Sequence, residues 1–242
     1  MTYTENLLIE ERQYSRHRNT IISVLAHDLN NPLSAIISLT QFMYFKTEDT
    51  HQKNTAKVMY DAAIRMKDLI NNVLDFARGK FSGGIKVDKK PHQMEPIITT
   101  VLNEAKVTQG NKTITTHFNL TPSVRCDKVR MSQVFSNLIS NAIKHSRTDA
   151  TIHIDAQISN GRFNFNITNE STPIPDSILR NIFKPFVRFK DRHTGGLGLG
   201  LYISKEIVSE HGGDIRVTCS DGCVTFRFNT YTATMHIHYV FC

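Results

Sequence analysis

His27, Asp28 and Asn31 sit inside LAHDLNNPLSAI, residues 25–36, a stretch that otherwise reads as an apolar helix seam. On a helix, His27 and Asn31 lie four apart and share a face, with Asp28 just round from them. His27 directly follows the seam position Ala26, so it stands at the edge of the seam and can reach solvent. A carboxylate that holds one imidazole N–H leaves the lone pair of the other nitrogen free, which is the chemistry of a nucleophile. Pro32 lacks a backbone donor and is expected to bend the helix or break its hydrogen bonding there. The plain alternative is a solvated histidine, one of eleven in the chain. An acid, an amide and a proline within six residues weigh against it.

A second polar cluster interrupts DKVRMSQVFSNLISNAIKHS, residues 127–146. Met131, Val134, Leu138 and Ala142 form one apolar stripe, while Asn137, Asn141, Lys144 and His145 fall on another face. Asparagine is a poor residue for a helix interior, so two of them one turn apart suggest a ligand face. Amide oxygens suit Mg²⁺, which commonly binds through substrate phosphates, and a lysine one turn on can neutralise a phosphate. A solvated polar face is the competing reading. A third cluster, HTGGLGLGLYISKEIVSEHGG, places Gly195, Gly196, Gly198 and Gly200 just before a helix. Glycines let backbone N–H groups approach phosphate oxygens, and a helix N-terminus favours anions. No Gly-Lys-Ser/Thr follows, and the spacing is not that of a dinucleotide fingerprint.

The elements that must position these residues have two grammars. Residues 8 to about 78 read as helix alone. Ile22, Ala26, Leu29, Leu33, Ile36, Thr40 and Met43 recur at heptad spacing, as do Met59, Ala63, Met66, Ile70, Val73 and Ala77. Polar residues 46–54 form the expected loop between them. Such a hairpin cannot bury both faces alone, so pairing with a second copy into a four-helix bundle, a homodimer, is expected. GKFSGG, residues 79–84, reads as a linker. Beyond it ITTHFNL, ATIHIDAQI, RFNFNIT, DIRVTC and VTFRFN read as strands, and residues 96–108, 127–145 and 199–210 as helices. ISNGRF reads as a hairpin turn. The pattern predicts a mixed sheet covered by helices on one face, so the fold class is α + α/β.

Composition narrows the function classes. The net charge is +7 over 242 residues, but Lys and Arg are scattered, with no basic block and no nucleic-acid motif, so no nucleic-acid partner is expected. A basic surface suits ATP and acidic protein partners. No apolar run approaches a membrane span and no secretory pattern opens the chain. The spacing of Cys126, Cys219, Cys223 and Cys242 fits neither a disulfide framework nor a metal site, so a cytoplasmic protein with reduced thiols is expected. His236 and His238 share a strand face in the tail, too few ligands for a metal site.

Together these stretches resemble a sensor histidine kinase of two-component systems, over nearly the whole chain. HDLNNPL is similar to the phospho-acceptor box, NLISNAIKH to the N box, IFKPFVRF (Ile182 to Phe189) to the F box and GGLGLGLYI to the second glycine box. The resemblance implies a dimeric helical-hairpin phosphotransfer domain (residues 21–78) and, past a linker (79–85), an ATP-binding domain of the GHKL or Bergerat type (86–230). Residues 1–20 would be a signalling helix leading from a separate or missing sensor domain, and 231–242 a tail. It implies that His27 attacks the γ-phosphate of ATP, with Asp28 orienting the ring and acting as general base. The phosphoryl group would pass to an aspartate on the receiver domain of a response regulator, and Asn31 would place water when that partner is dephosphorylated. Asn141, with Asn137 nearby, would hold Mg²⁺. Lys144, His145, Asn169, Gly196, Gly198, Leu199 and Gly200 would contact the nucleotide, and Arg188 would stabilise charge on the transferring phosphate. Residues 186–198 would form a mobile lid. One box departs from the family pattern: Asp-x-Gly-x-Gly is replaced by Asn169, Ser171 and Pro173. That departure motivates an alternative, a weakly catalytic or non-catalytic dimer that binds a regulator or partner kinase.

Overall fold

The computed structural model describes residues 3–81, 84–106, 112–188 and 197–232, with side chains from Val24 onward. Gly196 and the tail pair His236 and His238 lie outside the described residues. The chain divides into two compact units, Met1–Ile85 and Lys86–Cys242.

The first unit is a hairpin of α1 (Tyr3–Lys46) and α2 (Thr50–Phe81). The connection is shorter than the expected 46–54, because Asp49 starts α2 early: its carboxylate accepts the Gln52 N–H at 2.8 Å, as a helix N-cap does. At the other end α2 runs through Gly79 and Lys80, which the sequence assigns to the linker. Helix α1 also continues past Pro32. The Asn30 side chain donates to the Ala26 carbonyl at 2.7 Å one turn back, beside the site where the proline removes a donor.

The heptad runs divide between two faces. Ala26, Leu33 and Thr40 on α1 and Ala56, Ala63 and Leu74 on α2 are buried within the hairpin. Thr40 satisfies its hydroxyl on the Ile36 and Ile37 carbonyls. Leu29, Ile36 and Met43, with Met59, Met66 and Val73, remain 42–47% exposed. Leu25 and Leu39 extend that outer stripe along α1. A row of large apolar side chains left on the outer face is what a hairpin shows when half of its core is to be supplied by another surface.

The second unit holds a five-stranded sheet in the order β2 (Thr113–Asn119), β4 (Thr151–Ser159), β5 (Arg162–Glu170), β7 (Cys223–Tyr231), β6 (Asp214–Ser220). The pair β2–β4 is parallel and the others antiparallel. Asn160 and Gly161, both with positive φ, make the predicted hairpin turn between β4 and β5. A small antiparallel pair, β1 (Lys90–His92) and β3 (Val124–Cys126), lies apart from it, and neither strand is long enough to show a period in the sequence. Helices α3 (Met94–Ala105), α4 (Lys128–His145) and α6 (Gly200–Glu210) pack together, with the short α5 (Asp176–Leu179) between strand and lid segment. The core lies between α4 and one face of the sheet. Phe135 of α4 meets Phe165 at 5.0 Å, Phe228 at 5.9 Å and Phe163 at 6.2 Å between ring centroids. The predicted stripe Met131, Val134, Leu138 and Ala142 is fully buried there. Strand alternation sends Phe163, Phe165 and Ile167 of β5 into the same core.

Candidate functional site

Two constellations emerge, one in each unit. On α1 the His27 Nδ1 lies 3.2 Å from the Asp28 carboxylate, and the two side chains are 72% and 64% exposed. Donation from Nδ1 to Asp28 leaves the Nε2 lone pair facing solvent. The Asn31 amide nitrogen lies 3.2 Å from both ring nitrogens. An atom equidistant from both in the ring plane would collide with the carbon between them, so the amide stacks over the face of the imidazole. Asp28 and Asn31 thus hold the ring from its edge and its face, while the His27 side chain stays 72% exposed. Asn31, Ser34, Ser38 and Gln41 continue the polar stripe below His27, distinct from the outer apolar stripe.

The second constellation is built around one face of α4. Asp127 caps the helix, accepting the Val129 and Arg130 N–H groups at 3.0 and 3.1 Å, and its other oxygen accepts the Asp88 N–H at 3.0 Å. Burial opposes ionisation of this carboxyl, but the three backbone donors outweigh it and hold its pKa below the ordinary value. Ten residues on, Asn137 donates to the Gly200 carbonyl at 3.1 Å and the Ser204 hydroxyl at 3.2 Å. Its nitrogen is thereby committed to tying the start of α6 to α4. A Cβ on Gly200 would stand 3.3 Å from Asn137 Oδ1, so glycine permits this close approach. Asn141, one turn further, is half-buried, and Lys144 one turn beyond that. Partial burial lowers the Lys144 pKa, and the neighbouring Arg188 guanidinium lowers it further. The two cations thus stand near enough to repel one another.

Arg188 follows the neck of the glycine loop. The Phe186 N–H donates to the Gly198 carbonyl at 3.0 Å, and both residues have positive φ. A side chain at Gly198 would stand 2.8 Å from the Val187 carbonyl. This pairing joins the chain at residues 186 and 198, a contact that the glycine spacing alone does not reveal. Leu199, the residue before α6, is buried and gives no side-chain cap, so it anchors the loop by packing.

At the end of β5, Asn169 continues the inward series of Phe163, Phe165 and Ile167 and is 3% exposed, with one long contact of 3.4 Å to the Glu170 carbonyl. The substitution at 171 has a structural use: the Ser171 hydroxyl donates to the His145 carbonyl at 2.9 Å, satisfying one of the last carbonyls of α4. Asn137, Asn141, Lys144, His145, Arg188, Leu199 and Gly200 therefore belong to one region around α4, with Asn169 and Ser171 joining it from the sheet. Among the described residues no three His, Cys, Asp or Glu side chains gather as a metal cage. A cation at Asn141 would take one amide oxygen from the protein and the rest from phosphate and water, which fits Mg²⁺ bound with a nucleotide. No helix of the described residues is long and apolar enough to cross a membrane.

Comparison with known proteins joins the two constellations. Residues 17–81 match the family described as His Kinase A (phospho-acceptor) domain, and residues 126–233 the family described as Histidine kinase-, DNA gyrase B-, and HSP90-like ATPase. The chain is 29% identical to the bacteriophytochrome of Pseudomonas aeruginosa, over 88% of its own length and 30% of that protein. It is 27% identical to the aerobic respiration control sensor protein ArcB of Escherichia coli, over 92% of its own length and 29% of that protein. It therefore spans about 30% of the length of these relatives. The crystal structure of full-length ShkA in complex with AMPPNP superposes with a TM-score of 0.70 at 22% identity, covering 88% of this chain and 46% of that one.

Proposed function

Since this chain belongs to the sensor histidine kinases of two-component signalling, carrying their phospho-acceptor and ATPase domains in order, we propose that it phosphorylates itself on His27 with ATP and passes the group to a response regulator. The observation that carries the reading is the state of His27: exposed, with Nδ1 beside the Asp28 carboxylate and the Asn31 amide against the ring. In the reaction the Nε2 lone pair forms the N–P bond as the bond from the γ-phosphorus to the bridging oxygen of ATP breaks. ADP leaves with that oxygen, and Asp28 takes or shares the Nδ1 proton as the ring becomes cationic. Arg188 and Lys144 offset charge on the phosphates. Asn141, with Asn137 alongside, is assigned the Mg²⁺ that accompanies ATP, and Asn169 the adenine amino group. Phosphoryl transfer from His27 to a receiver-domain aspartate, and hydrolysis of that aspartyl phosphate with water placed by Asn31, complete the proposed cycle. The outer stripe Leu29, Ile36, Met43, Met59, Met66 and Val73 supports a homodimer formed through a four-helix bundle.

The second reading, a dimer that binds its partner without phosphorylating itself, is favoured by the weakly bonded Asn169 and by Pro173. Radiolabelled ATP with Mg²⁺ distinguishes them. Acid-labile, alkali-stable label on the intact chain and none on His27→Ala is expected for the kinase. Label that survives His27→Ala refutes the site, and no label with regulator binding retained selects the second reading.

A further inference from the structure

His211 stands just past the end of α6 and is 5% exposed, and its two ring hydrogen bonds go to backbone groups outside the residues assigned to ATP. Its Nδ1 lies 2.7 Å from the Ile207 carbonyl, one turn back on α6. Its Nε2 lies 3.0 Å from the backbone nitrogen of Asp127, the cap of α4. A carbonyl only accepts and an N–H only donates. The two partners therefore demand one species, the neutral imidazole with its proton on Nδ1. The loop behind it is equally constrained. Gly212 has φ +74°, the Gly213 N–H returns to the Val208 carbonyl at 2.9 Å, and a Cβ on Gly213 would fall 1.8 Å from the Asn229 carbonyl oxygen.

This bond helps to tie the antiparallel helices α4 and α6. At the other end of α6, Asn137 holds the Gly200 carbonyl and the Ser204 hydroxyl. The N-terminus of α6 meets Asn137, one turn before Asn141 on α4, so the register of α6 against α4 bears on the spacing of the proposed nucleotide region. We propose, resting on the reading of this region as a nucleotide site, that His211 is a positioning residue. As a neutral imidazole it locks the C-terminal end of α6 to the start of α4, and its protonation releases that lock and weakens nucleotide binding. A second ring proton would point Nε2–H at the Asp127 N–H, two donors facing each other. Relief would require the Asp127 carboxylate to leave the N–H groups of Val129 and Arg130, uncapping α4.

The charged groups facing the ring are Lys89, before β1, Asp127 at α4 and Glu210 on α6. Burial chiefly lowers the His211 pKa, with Lys89 acting in the same direction; the Ile207 carbonyl, Asp127 and Glu210 act against it, and the balance stays below the ordinary value of 6.5. The switch therefore operates below pH 6.5 rather than at neutrality.

The test is AMPPNP affinity of the full chain, with Mg²⁺, from pH 7.5 to 5.0, for wild type, His211→Gln and His211→Ala. A glutamine oxygen can accept the Asp127 N–H and cannot be protonated. Expected are a wild-type affinity that drops about tenfold across the range, within the usual span of couplings between sites, and a smaller drop for His211→Gln. His211→Ala should bind weakly at every pH. Titration of the nucleotide phosphates and of His145 is common to all three proteins, so the difference between wild type and His211→Gln isolates His211. In wild type alone, imidazole ¹⁵N shifts should show the Nδ1-protonated tautomer of His211 titrating with the loss of affinity, a readout that needs no folded variant. Matching pH profiles for wild type and His211→Gln, or an imidazole that titrates without change in affinity, overturns the proposal. Absence of AMPPNP binding by wild type at pH 7.5 overturns the nucleotide reading itself, and the proposal with it.

Discussion

Replacing Ile36 by aspartate should convert the proposed dimer to monomers while leaving the hairpin folded. Ile36 is 42% exposed at the middle of the outer stripe, flanked by Leu29 at 46% and Met43 at 47%. Full burial of such a side chain stabilises by roughly 1.5–3 kcal/mol, so closing the exposed remainder is worth about 1 kcal/mol. Six stripe positions, each present twice in a symmetric pair, give on the order of 12 kcal/mol before the cost of association, itself roughly 4–15 kcal/mol. The margin is narrow enough for one position to decide it. Ile36→Asp removes about 2 kcal/mol of apolar burial across the two copies and would bury two like charges, each costing several kcal/mol unpaired. A loss of at least about 5 kcal/mol is a rise of more than a thousandfold in dissociation constant. Sedimentation across a concentration series reads it directly, with Ser38→Asp on the polar stripe as the control. Circular dichroism should show both variants helical. A variant that remains dimeric with an unchanged constant would refute the assignment of this stripe to the interface.

Three further outcomes are expected. Asn169→Asp should tighten AMPPNP binding about fivefold, because a hydrogen bond to a charged acceptor is worth about 1 kcal/mol more than one to a neutral amide. It should also lower the melting temperature without nucleotide, since the carboxylate is buried there; unchanged affinity would remove Asn169 from the adenine site. Gly213→Ala should abolish cooperative melting of the second unit, with a cost above about 4 kcal/mol from the collision with the Asn229 carbonyl. Gly222→Ala, whose Cβ would meet open space at φ +75°, should cost only about 1 kcal/mol, and equal effects would argue against the packing described. The depressed pKa of His211 means that the unfolded chain binds the proton more readily than the folded one. Its stabilisation is present above pH 6.5 and is lost as the pH falls from there through the lower folded value. Melts of wild type should therefore steepen in their pH dependence below pH 6.5 relative to His211→Gln, and parallel curves would contradict the buried neutral ring.

The parts legible in the sequence are those governed by short periods. Alternation in RFNFNIT located β5 and its inward face, and the stripe Met131, Val134, Leu138 and Ala142 located the core side of α4. Heptad spacing located both long helices, but a period does not say which of its positions meets which partner. Ala26 and Leu29 belong to the same run, yet only Ala26 is buried within the hairpin. Strands β1 and β3, of three residues each, are too short for a pattern and exist through their pairing with each other. The ties at Asp127–His211 and Phe186–Gly198 join residues 84 and 12 positions apart, and only the folded chain brings them together. Asp127 carried a signal, an acidic residue immediately before an apolar helix; His211 carried none.

The altered adenine box shows most clearly why motif completeness and chemical competence are separate questions. Read as letters, Ser171 and Pro173 are losses, since glycines are usual at both positions in the family the chain resembles. In the fold, Ser171 is buried and its hydroxyl satisfies the His145 carbonyl at the end of α4. Its N–H donates to the Gly222 carbonyl at 3.0 Å in the β6–β7 turn. Residue 171 therefore fastens the helix bearing Asn141 and Lys144 to the sheet bearing Asn169. A glycine there would keep the backbone bond but leave the helix carbonyl without the hydroxyl, a difference of about 1 kcal/mol. The substitution thus exchanges backbone freedom beside the proposed adenine site for rigidity in the frame that carries Asn141 and Lys144. Asn169 retains an amide oxygen that can accept from the adenine amino group. What the change removes is charge and mobility at one end of the site, while the amides, cations and helix terminus around α4 remain in place. The physical balance therefore favours a kinase with moderated nucleotide affinity over a site that has lost its chemistry.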